Sequence, residues 1–381
     1  MDFSWNPDQV ELRDAVAEFA RTELVDDLIG RDERGEFSRV LWNRCAEFGI
    51  QGLPIPQEYG GRGCDILTTV LAMEALGQGC RDNGLLFGIN AQMWSVQMPI
   101  LRSGSEAQKL KYLPGLCDGT RIGAHAMSEP GAGSDAFALR TTAERSGDRY
   151  LLNGSKTFVS NAPVADMFVV FASVDLNKGA LGLTAFLVDR DAPGLSVSRP
   201  IGKMGLTTSP MAEVFFDACE VPLENRLGKE GRGASIFNDS MEWERSCILA
   251  GFLGTMHRQL ETCVRYAKER RQFGKPIGDF QSVSNRLVQM KLRLETGRLM
   301  LYRAAWAKQE GHSAGTEAAL AKLYVSEACL QSSLDAVQIH GGYGFTTEYE
   351  VERELRDAVG GRLYSGTSEI QAAIIARNLG L

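Results

Sequence analysis

A chain of 381 residues is longer than one small core requires, and 44% hydrophobic with 23% charged residues is a globular composition, which excludes a disordered or coiled-coil protein. A net charge of −7 opposes binding to nucleic acid, and the most basic run, Lys268-Glu269-Arg270-Arg271, is short and interrupted by acid. The opening Met1 to Val10 carries Asp2 and Asp8 without an apolar centre, unlike a secretory leader, and no run reaches the roughly 18 apolar residues of a membrane span, so a cytoplasmic protein without membrane contact is expected.

From Pro7 to about Thr120 the pattern is helical. Leu12, Val16 and Phe19 share one face, and Asn6-Pro7-Asp8 suits a helix cap and first turn. Leu53 to Asp65, with two prolines and Gly60-Gly61-Arg62-Gly63, reads as a loop before periodicity resumes at Leu71, Ala75 and Leu76. Beyond Thr120 the chain turns to short β-rich runs such as Met167 to Phe171 and Leu183 to Val188. After Gly231-Arg232-Gly233 helices return, with segments expected at Ser246 to Arg271, Val283 to Glu310 and Thr316 to Ile339. The expected class is α+β. Three units follow: a helical unit over 1–120, a small barrel-like β unit over 121–230 and a helical bundle over 231–381.

Eight cysteines from Cys45 to Cys329 form no C-x-x-C pair and read as reduced packing residues. His125, His257, His312 and His340 are equally dispersed, so no metal centre is expected. Gly311-His312-Ser313-Ala314-Gly315 has the G-x-S-x-G spacing of a hydrolase nucleophile elbow, but a helix rather than a strand precedes it. It reads as a turn between helices, with Thr316 as the next cap. Neither G-x-G-x-x-G nor a Walker A sequence occurs, which disfavours a Rossmann nicotinamide enzyme. Gly131-Ala132-Gly133-Ser134-Asp135 and Gly341-Gly342-Tyr343-Gly344-Phe345 are glycine turns whose main-chain N–H groups can approach an anion or cofactor closely.

Taken in order, five segments resemble the acyl-CoA dehydrogenase family over essentially the whole chain. They are Ala126 to Asp135 (AMSEPGAGSD), Asn153 to Asn161 (NGSKTFVSN), Arg270 to Lys275 (RRQFGK), Gln338 to Phe345 (QIHGGYGF) and Tyr364 to Gln371 (YSGTSEIQ). The resemblance implies an N-terminal helical domain, a central β domain and a C-terminal four-helix bundle. It also implies FAD bound between domains and across a subunit contact, in a homo-oligomer that is most often a tetramer.

The family's flavin contacts correspond here to Met127, Ser128, Gly133 and Ser134 on one side of the ring and to Phe158 and Ser160 on the other. Phe158 stands where the family often has Trp. Arg270, Gln272 and Phe273 correspond to residues reaching a neighbour's FAD, and Gln338, Gly342, Thr367 and Glu369 to the remaining dinucleotide contacts. Glu369 is commonly Gln in relatives.

The implied chemistry removes an α-proton from an acyl thioester and passes the β-hydride to the flavin, while donors near the base loop hold the thioester oxygen. Most of the family carries the base as Glu in a Tyr-Glu-Gly-Thr stretch, and this chain has Ser365 there. A minority, including isovaleryl and long-chain types, places it on a neighbouring helix before an Arg. Met241-Glu242-Trp243-Glu244-Arg245 matches that place and makes Glu244 the expected base, with Arg245, Ser134, Tyr364, Ser365 and Gly366 around the substrate. An acyl-CoA is the first expected substrate. The alternatives are an acyl or aminoacyl group tethered to a carrier protein in secondary metabolism, an oxidase or monooxygenase of the same fold, and an inactive FAD-binding scaffold. Electrons are expected to pass to an electron-transferring flavoprotein or to oxygen.

Overall fold

Asn6 opens the first helix as its position suggests. Its side chain accepts from the Gln9 N–H at 2.9 Å while Gln9 Oε1 accepts from the Asn6 N–H at 3.1 Å, a reciprocal cap directly before Pro7. The structure, a computed structural model, describes residues 4–381; Met1, Asp2 and Phe3 of the opening stretch considered above lie outside it.

Among the described residues seven α-helices precede the sheet: α1 (Pro7–Glu23), α2 (Leu28–Arg34), α3 (Arg39–Phe48), α4 (Ile66–Gly79), α5 (Asn83–Gln92), α6 (Met98–Ser103) and α7 (Glu106–Cys117). Between α5 and α6 the chain winds through a π-helical turn, Met93–Gln97, whose five residues are all buried. α4 is buried on nearly every side, from Thr69 through Gly77, because α1, α9 and α10 all pack on it. Here α9 is Ala250–Glu269 and α10 is Gln281–Gln309.

The central strands are β1 (Gly123–Ala126), β2 (Thr142–Ser146), β3 (Arg149–Ser160), β4 (Met167–Ser173), β5 (Leu183–Asp189), β6 (Leu195–Val197), β7 (Met211–Pro222) and β8 (Arg226–Leu227). Their order is β6-β7-β3-β2-β4-β5-β8, with β1 added parallel to β4. β4 has no polar face, as its continuous apolar run requires. Met167, Val169 and Phe171 join the core shared with the helices, while Phe168, Val170 and Ala172 join a second core drawn from β1 to β5 and β7. Tyr150 of β3 meets Phe186 of β5 across that second core at 5.0 Å between ring centroids, which gives the unit its barrel-like interior.

After the sheet come α8 (Gly233–Cys247), α9, a hairpin of β9 (Arg271–Gln272) and β10 (Lys275–Pro276), α10, α11 (Gly315–His340), α12 (Val351–Gly360) and α13 (Ser368–Asn378). α8 to α11 form the bundle. Two expectations need correction. The helical segment expected from Ser246 is two helices: Ser246 and Cys247 end α8, and α9 starts at Ala250 after a break. Thr316 is not a cap, because α11 starts one residue earlier without a side-chain cap, and the Thr316 hydroxyl instead accepts from Asn378 Nδ2 at 2.7 Å. All eight cysteines are free thiols, seven of them buried.

α4 and α9 approach so closely that only glycine fits at their crossing. A Cβ on Gly254 lies 2.1 Å from the Glu74 carbonyl oxygen, and one on Gly77 lies 2.2 Å from that of Gly251. Gly254→Ala is therefore expected to cost about 1–3 kcal/mol or more through overpacking. Gly315→Ala, where nothing lies within 4 Å, is the control expected to stay within about 0.5 kcal/mol. Equal urea midpoints for the two variants contradict this account of the crossing.

Candidate active site

α8 turns one face inward, and Ser240, Met241, Glu244 and Cys247 fall on it at helical spacing. Glu244 is only 7% exposed. Its carboxylate accepts from two hydroxyls, Ser95 on Oε2 and Ser365 on Oε1. Burial raises its pKa above the ordinary carboxylate range, opposed by those two donors and by the positive charges of Arg245 and Lys322.

The loop carrying Ser365 is held from three directions. Arg245 Nε donates to the Ser365 carbonyl at 3.0 Å and Lys322 Nζ to the Gly366 carbonyl at 2.7 Å. Gln371 Nε2 donates to both, at 3.1 and 2.9 Å. These bonds maintain the left-handed backbone at Ser365 (φ 57°) and Gly366 (φ 88°), a conformation that costs a serine about 1 kcal/mol or more. Lys322 is itself fully buried, and burial beside Arg245 draws its pKa down to about 8. Next to the loop, the Tyr364 ring lies 4.6 Å from Phe87 and 6.4 Å from Phe252. Glu242, two residues from Glu244, faces away and accepts from Lys308 Nζ at 2.9 Å.

A second cluster lies where β1 runs into the Gly131 to Asp135 turn. Lys156 is fully buried, and its Nζ donates to the Met127 carbonyl at 3.0 Å and to Glu129 at 2.8 Å. Glu129 also accepts from the Arg140 and Thr141 N–H groups. Burial opposes its ionisation, yet Lys156 and these donors hold its pKa below the usual value. Burial draws Lys156 down to about 8, with Glu129 opposing.

The Thr157 N–H donates to the Ser128 carbonyl at 2.8 Å, so the Met127-Ser128 segment is tied to β3 one residue before Phe158. There the β3–β7 register shifts, Phe158 takes φ 55°, and its ring stands 64% exposed. A large apolar ring held out of a sheet by a strained backbone reads as a contact surface. Ser160 is half-buried just beyond it. Gly131 and Gly133 face open space and Ser134 is exposed. After the Ser365 loop, Thr367 caps α13 by accepting from the Ile370 N–H, and Glu369 is exposed in its first turn. Accessible main-chain donors, hydroxyls, an exposed aromatic ring and a helix start fit the flat ring and anionic tail of FAD.

Arg270, Gln272, Phe273, Gln338 and Gly342 form a separate group. The Arg270 guanidinium lies 5.5 Å from the Tyr343 ring centroid, which joins the β9–β10 hairpin to the end of α11. Gln338 is on α11 sixteen residues after Lys322, about 24 Å along the helix axis at roughly 1.5 Å per residue. Phe273 is 93% exposed with φ 50° at the hairpin turn.

The sequence reading missed Ser95, Lys156, Lys322 and Gln371. Ser95 lies in an apolar run with no motif. Lys322 did leave a signal: it is a lone charge on the face of α11 that buries Ala318, Ala319, Ala321 and Val325.

The chain matches the acyl-CoA dehydrogenase N-terminal domain over residues 6–120, the middle domain over 124–219 and the C-terminal domain over 231–380. An L-prolyl-[peptidyl-carrier protein] dehydrogenase of Pseudomonas fluorescens is 46% identical over 382 residues, covering all of both chains. The crystal structure of the prolyl acyl carrier protein oxidase AnaB superposes with a TM-score of 0.98 at 52% identity, over 99% of this chain and 100% of that one. PigA with FAD and proline gives a TM-score of 0.97 at 43% identity, over the whole of both chains.

Removing the carboxylate in Glu129→Ala leaves Lys156 buried without its partner, at an expected cost of about 3–5 kcal/mol. The purified variant is expected to unfold at lower urea and to retain less FAD per chain. Glu129→Gln with Lys156→Met is expected to recover part of both. Unchanged FAD content and stability in Glu129→Ala contradict a structural role for the pair.

Proposed function

Because this chain belongs to the acyl-CoA dehydrogenase family, we propose that it oxidises the Cα–Cβ bond of a prolyl group held as a thioester on a carrier protein, with Glu244 as the base. At the level of class it is an FAD-dependent oxidoreductase acting on CH–CH donors. The observation that carries the residue assignment is the Glu244 carboxylate, buried and bonded to Ser365, the position where the family's commoner base is absent. The prolyl and carrier assignments draw on the whole-length likeness to enzymes of that name.

FAD, when bound, supplies the acceptor for the β-hydride. Met127, Ser128, Gly133, Ser134, Phe158, Ser160, Thr367 and Glu369 would hold it beside the base. Glu244 takes the α-proton at a carboxylate oxygen. Burial raises its pKa, which makes it a stronger proton acceptor than a solvated carboxylate. Arg245, Lys322 and Gln371 fix the loop against which the thioester lies, and Tyr364, Phe87 and Phe252 exclude water from it. Arg270, Gln272, Phe273, Gln338 and Gly342, displaced along α11, serve the FAD of a second copy, which makes the working enzyme a homo-oligomer. Electrons leave to an electron-transferring flavoprotein or to oxygen. No helix among the described residues is long and apolar enough to cross a membrane.

The reading is tested by anaerobic bleaching of the flavin. A prolyl thioester on a carrier protein is expected to bleach it rapidly, and butyryl-CoA slowly or not at all. Faster bleaching by the acyl-CoA overturns the prolyl assignment. Glu244→Gln preserves shape but not basicity, so the rate of flavin reduction is expected to fall by roughly 10²–10⁴-fold at unchanged FAD content. Near wild-type reduction by that variant places the base elsewhere.

A further inference from the structure

Glu244 is bonded at both oxygens by hydroxyls from different parts of the chain. Ser95 comes from the π-helical turn of the N-terminal helices, and Ser365 from the loop before α13. Neither hydroxyl is there for its own burial. Ser95 is 2% exposed with Glu244 as the side-chain partner of its Oγ, and Ser365 keeps a left-handed backbone that aims its Oγ at the carboxylate. In a regular α-helix each residue turns about 100° from the last. A π turn adds one residue to a turn and re-aims the side chains that follow its start, which here places Ser95 against α8.

We propose that Ser95 and Ser365 are positioning residues that clamp the Glu244 carboxylate in one orientation and keep it ionised for removal of the substrate's α-proton. The proposal rests on Glu244 being the base. Two donors to the charged form favour it against the cost of burial. A carboxylate with both oxygens engaged also cannot rotate, so its free lone pairs keep one direction.

The other charged and titratable groups around Glu244 have partners of their own. On α8, Arg245 is bonded to the Ser365 carbonyl, Glu242 to Lys308 of α10, and Asp239 to Arg102 of α6. On α11, Lys322 is bonded to the Gly366 carbonyl, and Glu327 to Arg362 and Ser368. Asp189 at the end of β5 is engaged by Lys111. Burial pushes the Tyr364 hydroxyl up, so it stays neutral. The π turn and α5 contain no ionisable residue. The hydroxyl pair is therefore the element whose removal changes the base without removing a charge.

The base works as the carboxylate, so activity is present above its pKa and lost as pH falls through it. Removing a donor raises that pKa and moves the loss to higher pH. The test is the pH profile of anaerobic flavin reduction by the prolyl-carrier thioester in the FAD-loaded enzyme. In Ser95→Ala the acid limb is expected to move up by about one to two pH units, the size of one hydrogen bond to a charged group. Ser95→Thr, which keeps the hydroxyl, is expected to return the limb toward wild type. Ser365→Ala is expected to move it in the same direction, and it keeps the proposal testable if Ser95→Ala does not fold. An acid limb unmoved in both alanine variants, with rates reduced equally at every pH, overturns the proposal. Glu244→Gln separates the two failures: an inactive Glu244→Gln with an unmoved limb removes only the clamp, whereas an active one removes the base assignment beneath it.

Discussion

A carboxylate taken out of water is unstable unless other groups replace its hydration, and in this protein one such carboxylate joins the two helical regions. Glu244 draws one hydroxyl from the N-terminal helices and one from the C-terminal loop. Leaving either oxygen unbonded costs about 1–3 kcal/mol or more. That requirement ties the π turn, α8 and the Ser365 loop to a common geometry. The loop is in turn pinned by Arg245, Lys322 and Gln371.

The same logic recurs at Lys156 and Glu129. Two opposite charges are buried together, and the remaining capacity of each is spent on the backbone of the segments that must stay fixed. Lys156 grips the Met127 carbonyl, and the neighbouring Thr157 N–H grips that of Ser128. The strained Phe158 follows directly. The sheet segment before Phe158 and the Ser365 loop of the bundle are thus each held by such bonds, with apolar cores behind them. The left-handed backbones of Phe158 and Ser365 lie in these two segments, where bonded neighbours hold them.

With Glu244 of α8 as the proposed base, the loop position takes on another role. Ser365 is a poor base by itself, since a neutral hydroxyl has no affinity for an α-proton without a partner. Beside a carboxylate it is a good donor. A position that reads in isolation as a loss of catalytic function therefore supports the buried carboxylate proposed to carry it.

Periodicity and glycine placement were enough to read helices, then strands, then helices, because hydrophobic spacing and turn residues are local properties of the chain. The helix cap at Asn6 and the apolar run Met167 to Phe171 were equally plain. The five ordered segments and the Glu-Arg pair at 244–245 brought the family and the base candidate into view, since residue type and order survive without coordinates. Boundaries near Ser246 and Thr316 were misplaced, because a two-residue break between two buried helices, Ile248-Leu249, leaves no mark in composition. Only the folded chain decided that Ser95 meets Glu244 across 149 residues and that Lys156 meets Glu129, with Lys322 bonded to the Gly366 carbonyl. Such contacts satisfy buried charges over long sequence separations. No local pattern encodes which hydroxyl or carbonyl the packing will deliver.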